Sequence, residues 1–282
     1  MINFTPTHLI ANCYNDSNLC QIHTDIEQEV IDFMDQVRRV GEESITDFLL
    51  WRWAQANSSF KHFNVKTFTK AQENTISGAD FELKLWVLTK FGSFSMAFQA
   101  KKISKSFDGY HSKINYKSKK AKYKQIDVLL NYAKSSTYPV IPLYCFYSKS
   151  DSISHHLGGI FVTSASYIKY LSNKPKSTRI PRRQLLGPHY PFHAFFCTDQ
   201  TLRDQMAIES FEAYKSFLLP PQDLPPYIKA ILDENESSAL MKDYLEKYKL
   251  SQFKHIGVLD MRNNERVDPL LANLLSEAII DS

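Results

Sequence analysis

The amino-acid sequence predicts an α/β fold in which helices flank a mixed central sheet. Residues 80–87 and 94–101 alternate apolar and polar side chains with a period of two, which is typical of strands. The short link between them contains Gly92, so the two segments predict a hairpin. The nearly continuous apolar run at 138–147 predicts a strand that is covered on both faces.

Apolar residues at helical spacing predict a helix over residues 25–40 and a second helix that starts near Glu42. The second helix should bury Trp53 and turn Thr46 and Leu50 to the opposite side. The remaining elements before the middle of the chain follow from the same patterns. They are a strand at 63–70, a loop at 71–80, the hairpin, a helix at 123–133 and the strand at 138–147.

The second half of the chain predicts further α/β elements. Residues 158–171 suggest a strand followed by a helix, and the segment 173–191, rich in Pro, Lys, Arg and Ser, suggests a loop or extension. Prolines between 220 and 226 interrupt the helical patterns. The later predictions are a strand at 191–198, helices at 201–218, 225–233 and 237–248, and a strand at 255–261.

Composition and targeting signals indicate a cytoplasmic globular protein. At 282 residues the chain can bury one good core, with or without a smaller lobe. No apolar run approaches the roughly 20 residues that span a bilayer, and no signal peptide is evident at the N-terminus. The four cysteines lack the spacing of a metal site, so we expect reduced thiols.

Positive charge is concentrated in one segment, although the net charge of the chain is only +4. Residues 101–124 contain many lysines with interleaved tyrosines, and Asp108 is the one acid among them. Such a surface suits the phosphates of a nucleic acid, although a solvated lysine-rich loop is the alternative. The candidate nucleic-acid-binding residues are Lys102, Lys105, Lys117, Lys119 and Lys120.

The polar face of the hairpin suits metal-assisted hydrolysis of a phosphodiester. Asp80 precedes the first strand, and Gln99 and Lys101 point to the same side of the second strand. A carboxylate and an amide oxygen are ligands that Mg²⁺ or Mn²⁺ accepts, and a lysine can assist the attacking water. Glu43, at the start of the second helix, is the expected supplier of a further oxygen ligand.

These residues resemble the PD-(D/E)XK signature of the restriction-endonuclease-like nucleases. Asp80 matches the first acid and Lys101 the lysine, whereas Gln99 stands where the pattern has an acid and Ala79 where it has proline. The resemblance implies a restriction-endonuclease-like core, in which Asp80, Gln99 and Glu43 hold Mg²⁺ and Lys101 is catalytic. It also implies a helix beside the site, on which Gln125 lies.

Five segments in order also resemble an uncharacterised bacterial family of predicted antiphage-defence nucleases. The resemblance is clear over residues 40–165. It implies a nuclease-like domain at 1–219, with its core at about 25–165, and a C-terminal helical extension at 220–282 packed on that domain. The five segments are EESITDFLL, FTKAQENTISGADFEL, FQAKK, QIDVLLNYA and PLYCFYS.

Each candidate residue also has a purely structural interpretation. Glu42 and Glu43 are both acids that favour a helix N-terminus, and Asp80 could cap a turn. Gln99 and Lys101 could line an exposed sheet face with no task. The auxiliary candidates Glu73, Glu82 and Gln125 could be a loop acid, a partner of a lysine and a polar helix residue.

The function expected from the sequence is a Mg²⁺- or Mn²⁺-dependent DNA endonuclease, a hydrolase that acts as an effector in antiphage defence. DNA is expected as substrate before RNA. The activity is expected to be gated by an activating protein partner or by formation of a homo-oligomer. The alternatives are a catalytically silent nucleic-acid-binding protein and a structural subunit of a defence complex. Motifs of serine hydrolases, P-loop NTPases and zinc proteases are absent from the sequence.

Overall fold

The computed structural model divides into two compact units that interleave along the sequence. The first unit comprises Met1–Ala56, Ala100–Ile114 and Tyr144–Glu212, and the second comprises Asn57–Gln99, Asn115–Leu143 and Ala213–Ser282. The residues that the structure describes are 18–37, 39–60, 63–67, 81–88, 92–106, 109–112, 114, 124–150, 158–173, 180–185, 190–193, 219–220, 223–233, 238–260 and 262.

The second unit contains a mixed sheet with the strand order β1-β9-β2-β3-β5. Strand β9 pairs antiparallel with β1 and parallel with β2, while β2 and β3 pair antiparallel. This arrangement confirms the predicted α/β fold with a mixed sheet. The strands are β1 (Phe63–Thr67), β2 (Phe81–Leu88), β3 (Ser93–Ser106), β5 (Val140–Ser148) and β9 (Phe253–Asp260), of which β3 and β5 continue into the first unit.

The β2–β3 hairpin has the register that the alternating pattern predicts. Leu83 lies opposite Phe98, and Leu88 lies opposite Ser93. Both faces of this hairpin are covered, since all residues of 83–88 and 92–99 are buried. The helices of the second unit are α3 (Gln125–Ser135), α6 (Pro226–Leu232) and α7 (Ser238–Lys247).

The first unit packs two long helices with the later parts of β3 and β5 and with short strands. Strand β6 pairs with β8, and β4 pairs with β3 and β7. Its further elements are α1 (Asn18–Gln36), α2 (Glu42–Phe60), β4 (Gly109–Ser112), β6 (Gly159–Ser164), α4 (Ala165–Ser172), β7 (Ile180–Pro181), α5 (Arg182–Leu185) and β8 (Tyr190–Pro191).

Helix α2 is buried on more sides than its sequence pattern predicts. Thr46 and Leu50 were expected on the side opposite Trp53, but they are only 1% and 6% exposed. The Thr46 hydroxyl is 2.8 Å from the Tyr147 hydroxyl and donates to the Glu42 carbonyl at 3.1 Å. These bonds satisfy the polar group of Thr46 in the interior, so α2 is covered at Thr46 and Leu50 as well as at Trp53.

The other predicted elements agree with the structure to different extents. Helix α1 starts before residue 25, and the segment 173–191, predicted as a loop or extension, contains β7, α5 and β8. The predicted strand at 191–198 is described only to residue 193, and the predicted helix at 201–218 lies outside the described residues. The boundary predicted at 219/220 stays a prediction. In the second unit, β9 lies between β1 and β2.

Helices of the described residues are all too short or too polar to cross a membrane.

Candidate active site

Lys101 and Glu42 form an ion pair in the first unit. The Lys101 side chain on β3 is largely buried, and its Nζ lies 3.4 Å from Glu42 Oε2. The other carboxylate oxygen, Glu42 Oε1, accepts a hydrogen bond from the backbone N–H of Lys102 at 2.9 Å. Glu42 is the first residue of α2, so one carboxylate connects the start of this helix to β3 at two points.

The structure therefore brings Glu42, and not its neighbour Glu43, to Lys101. Both acids lie in the first turn of α2, and the Glu43 side chain is exposed. Successive helix residues point about 100° apart, because an α-helix has 3.6 residues per turn. The role predicted for Glu43 as a metal ligand stays a prediction, and Glu42, which the sequence favoured only as a helix-start residue, contacts the candidate catalytic lysine.

Gln99 precedes Lys101 by two residues on the same strand. Both residues lie on β3, whose alternation places their side chains on the same face. Gln99 is 2% exposed and Lys101 is 7% exposed. Both side chains are buried, so the alternative that they line an exposed sheet face is wrong. Burying polar groups costs free energy unless they find partners.

Lys102 and Lys149 add positive charge near this ion pair within the first unit. Lys102 Nζ donates to the Val40 carbonyl at 2.9 Å, and Lys149 Nζ lies 3.4 Å from Asp35 Oδ1. Burial lowers the pKa of Lys102, the positive charge of Lys149 lowers it further, and Glu42 opposes the shift. Lys149 was missed because it directly follows β5, far along the chain from the lysine-rich segment.

The remaining predicted cations are only partly described. Lys105, also on β3, has an exposed side chain, as expected for a residue that contacts phosphates. Lys117, Lys119 and Lys120 lie outside the described residues.

The predicted metal ligands are described only in part. Asp80 and Glu73 lie outside the described residues, and Glu82 lies on β2. Within the part of the chain that the structure describes, no group of three or more His, Cys, Asp or Glu residues is placed to hold a metal ion. The predicted donors are carboxylate and amide oxygens, which fit Mg²⁺ by their chemistry.

Gln125 is the first residue of α3 and the predicted auxiliary residue on this helix. Its Oε1 is buried and has no hydrogen-bond partner among the described residues. A buried amide oxygen of this kind is an acceptor that a ligand or water could use. Gln125 therefore stays a candidate auxiliary residue. Its Oε1 could accept a hydrogen bond from a ligand or bind a metal.

A second buried lysine, Lys84 on β2, lies in the second unit and was not predicted as a site residue. Its Nζ donates to the Tyr132 hydroxyl at 2.6 Å. The Nζ also lies 5.1 Å from the ring centre of Tyr132 and between 5.7 and 5.8 Å from those of Trp86, Tyr227 and Phe253. Burial lowers the pKa of Lys84 to about 7.

The aromatic residues around Lys84 form a connected cluster. Trp86 Nε1 donates to the Tyr227 hydroxyl at 3.0 Å, and burial raises the pKa of Tyr227 well above its ordinary value. Burial also raises the pKa of Tyr132. Both phenols therefore stay neutral near neutral pH, so these two hydroxyls give Lys84 no negative charge as a partner.

A family model matches residues 19–266 of the chain, which is most of its length. Its description is a family of unknown function, DUF6615. The chain belongs to this family. No curated protein and no solved structure matches the chain. Membership covers both compact units, and it carries no statement about chemistry, so the function has to be argued from the residues.

Proposed function

We propose that this member of the DUF6615 family is a metal-dependent nuclease that hydrolyses phosphodiester bonds. The observation that carries the proposal is the ion pair between the buried Lys101 and the half-buried Glu42, in which Lys101 belongs to the Gln99-Ala100-Lys101 sequence of β3. In the finer proposal the enzyme is a cytoplasmic DNA endonuclease of the restriction-endonuclease-like type. It would act as an effector of antiphage defence.

The Lys101–Glu42 pair has the properties of a prepared catalytic cation. Lys101 is only 7% exposed, so its ammonium has little contact with water and depends on partners within the protein. Glu42 lies 3.4 Å away and stabilises the ammonium. A charged, oriented ammonium can stabilise negative charge on the phosphate as it develops and can position the attacking water.

The metal would be held by the oxygen donors that the sequence predicts. We assign Asp80 and Glu43 as carboxylate ligands and Gln99 as an amide ligand, with Glu73, Glu82 and Gln125 as auxiliary residues. Bound Mg²⁺ or Mn²⁺ polarises a phosphate oxygen and lowers the pKa of a bound water. Gln99 supplies no negative charge, so the metal should bind more weakly than to a site with an acid at this position.

The lysines of the first unit would hold the backbone of the substrate. Lys102, Lys105 and Lys149 supply positive charge, and we assign Lys117, Lys119 and Lys120 to phosphate binding from the sequence. Contacts of this kind bind phosphates with little sequence preference and weaken as salt is raised. DNA is the favoured substrate, and a protein partner or self-assembly is proposed to activate the enzyme.

Plasmid cleavage by the purified full-length chain tests this proposal. The assay compares Mg²⁺, Mn²⁺ and EDTA for the wild type, Asp80→Asn and Gln99→Ala, with Asp243→Asn as a control at an exposed carboxylate on α7. We expect metal-dependent nicking that both site variants reduce by at least about 100-fold. Equal cleavage by wild type and Asp80→Asn in Mg²⁺ would contradict the proposed metal site.

Gln99 favours a second candidate function, a nuclease-like protein that binds nucleic acid without cutting it. An amide in place of an acid removes one charge from the metal site. Calorimetric titration with Mn²⁺ separates the two functions, since a silent protein should bind DNA but show no ion uptake that Asp80→Asn abolishes. Uptake that this variant does abolish, together with nicking, would support the enzyme.

A further inference from the structure

Helices α1 and α2 of the first unit carry an aromatic strip that is half-buried at Phe33 and Phe48 and exposed at Trp51. The Phe33 and Phe48 rings stack at 4.4 Å with an angle of 9° between their planes, and the Trp51 ring lies 5.7 Å from that of Phe48. Trp51 is 53% exposed, and Val37 at the end of the strip is 39% exposed. Exposed apolar residues that are contiguous rather than scattered often mark an interaction site.

One end of the strip is held in place by polar contacts. Arg52 donates from Nη2 to Glu29 Oε1 at 2.6 Å, and this bond connects α2 to α1. The Arg52 guanidinium also lies 5.6 Å from the centre of the Trp51 ring. Trp51 is therefore an exposed aromatic side chain on a braced surface, which lowers the conformational entropy that binding would cost.

The two helices that carry the strip are strongly acidic. They contain eight acids and one Arg or Lys, which gives 1 − 8 = −7, while the whole chain is +4. Several of these carboxylates are exposed, and one of them, Asp35, lies 3.4 Å from Lys149 Nζ. The exposed acids are Asp25, Asp32, Asp35, Glu43 and Asp47.

We propose that the α1–α2 strip (Phe33, Val37, Phe48 and Trp51) is a docking site for a basic, amphipathic helix of a partner protein. The apolar face of such a helix would cover Trp51 and Phe48, and its Lys or Arg residues would meet the acids at the border. Charge complementarity of this kind increases the rate of association and selects the partner. Helices with one apolar face commonly bind to apolar surfaces in this way.

The same charges argue against nucleic acid as the occupant. The two helices carry an excess of exposed carboxylates, and negative charges repel phosphates at the distances of an interface. The docking proposal shares Glu43 with the proposed metal site, but Trp51 is not among the residues assigned to the metal, the phosphates or the catalytic lysine. A substitution at Trp51 therefore tests the docking site separately from the nuclease.

A peptide titration of the full-length protein tests the docking site. The probe is a labelled amphipathic helical peptide of Leu and Lys, about 18 residues long. A scrambled peptide of the same composition and an amphipathic Leu–Glu peptide are the controls. We expect a Kd below about 100 µM for the first peptide and at least about 10-fold weaker binding for the others.

Tryptophan fluorescence of the same samples identifies the contact. Trp53 and Trp86 are 2% and 0% exposed, so an emission shift to shorter wavelength should come from Trp51 and disappear in Trp51→Phe. By anisotropy, Trp51→Ala and Asp47→Lys should each weaken binding, the former about 10-fold. Tyr170→Ala is the matched control, since this exposed tyrosine lies on α4.

Three results would overturn the proposal. The first is equal affinity of wild type and Trp51→Ala for the amphipathic peptide, and the second is equal binding of the scrambled peptide. The third is dimerisation in sedimentation, or binding of a DNA oligonucleotide, that Trp51→Ala abolishes, because another occupant would then use the strip. Plasmid cleavage by the lone chain should be unchanged in Trp51→Ala, so a failed docking site leaves the nuclease proposal untouched.

Discussion

Two buried lysines, Lys84 in the second unit and Lys101 in the first, occupy very different surroundings. The exposed fractions are 1% for Lys84 and 7% for Lys101. Aromatic rings and the Tyr132 hydroxyl surround Lys84, and its pKa falls to about 7 because burial removes the charged form from water. Lys101 instead has the Glu42 carboxylate 3.4 Å away.

This difference separates a lysine that stabilises a core from a lysine that can act on a substrate. Rings and a neutral phenol compensate only part of the cost of burying a charge, so Lys84 contributes packing and a hydrogen bond. A carboxylate favours the ammonium directly. A strongly lowered lysine pKa would by itself point to Lys84 as the functional residue. The carboxylate of Glu42 beside Lys101 points to Lys101 instead.

The largest effect is expected at Lys101. In Lys101→Ala, metal-dependent plasmid cleavage should fall by at least about 100-fold, because the cation that stabilises the developing charge is removed. Circular dichroism and the thermal midpoint should stay close to those of wild type.

Lys101→Met keeps the length of the side chain and separates loss of charge from loss of packing. Lys105→Ala, at an exposed lysine on the same strand, is the matched control and should retain most of the activity. Wild-type turnover in both variants of Lys101 would remove this residue from the mechanism.

Glu42 and Glu43 provide a sharper comparison, because the two acids are adjacent in the first turn of α2. Glu42→Gln keeps the shape of the side chain but removes the negative charge that faces Lys101. We expect a loss of about 10-fold or more in kcat, since the Lys101 ammonium loses the carboxylate that holds it in place.

Glu43→Gln should lower the affinity for Mg²⁺, as seen in a higher metal concentration at half-maximal rate, and should leave kcat at saturating metal close to that of wild type. If Glu42→Gln changed only the metal dependence, Glu42 would be a ligand and the ion pair with Lys101 would not be its main role.

Lys84 should affect stability rather than catalysis. Its pKa is about 7 in the folded chain and 10.5 ordinarily, so the unfolded chain binds one more proton between these values. Above pH 10.5 the Lys84 amine is neutral in the folded and the unfolded chain, so its burial costs no charge. As the pH falls to 7, the unfolded chain takes up the proton first and the folded chain loses stability. The free energy of unfolding should therefore rise by about 1.4 kcal/mol per pH unit in this window.

Denaturant titrations at pH 7, 8 and 9 measure this slope. Lys84→Met should remove this pH dependence of the free energy of unfolding. The variant should be at least as stable as wild type at pH 7, because an apolar chain replaces a buried charge. Lys242→Met, at an exposed lysine on α7, should keep the wild-type slope. If Lys84→Met kept the wild-type slope, burial would not lower the pKa of Lys84.

The sequence predicted what depends on local periodicity. Alternation was sufficient for the β2–β3 hairpin and for the side shared by Gln99 and Lys101, since a strand has only two faces. It could not choose between Glu42 and Glu43, because α2 also buries Thr46 and Leu50 and thus lacks a clear polar side. The surroundings of Lys84 come from three different elements besides its own strand, a tertiary arrangement that no local pattern contains.

Lys149 gives the smallest predicted effect, and it tests whether a positive charge outside the Lys101–Glu42 pair matters for the substrate. In Lys149→Ala, the slope of log affinity for a DNA duplex against log salt should fall by about one unit, as for the loss of one phosphate contact. Turnover at saturating DNA should change little. Lys247→Ala, at an exposed lysine on α7, should leave the slope as in wild type. An unchanged slope in Lys149→Ala would assign Lys149 to its ion pair with Asp35 and to the fold.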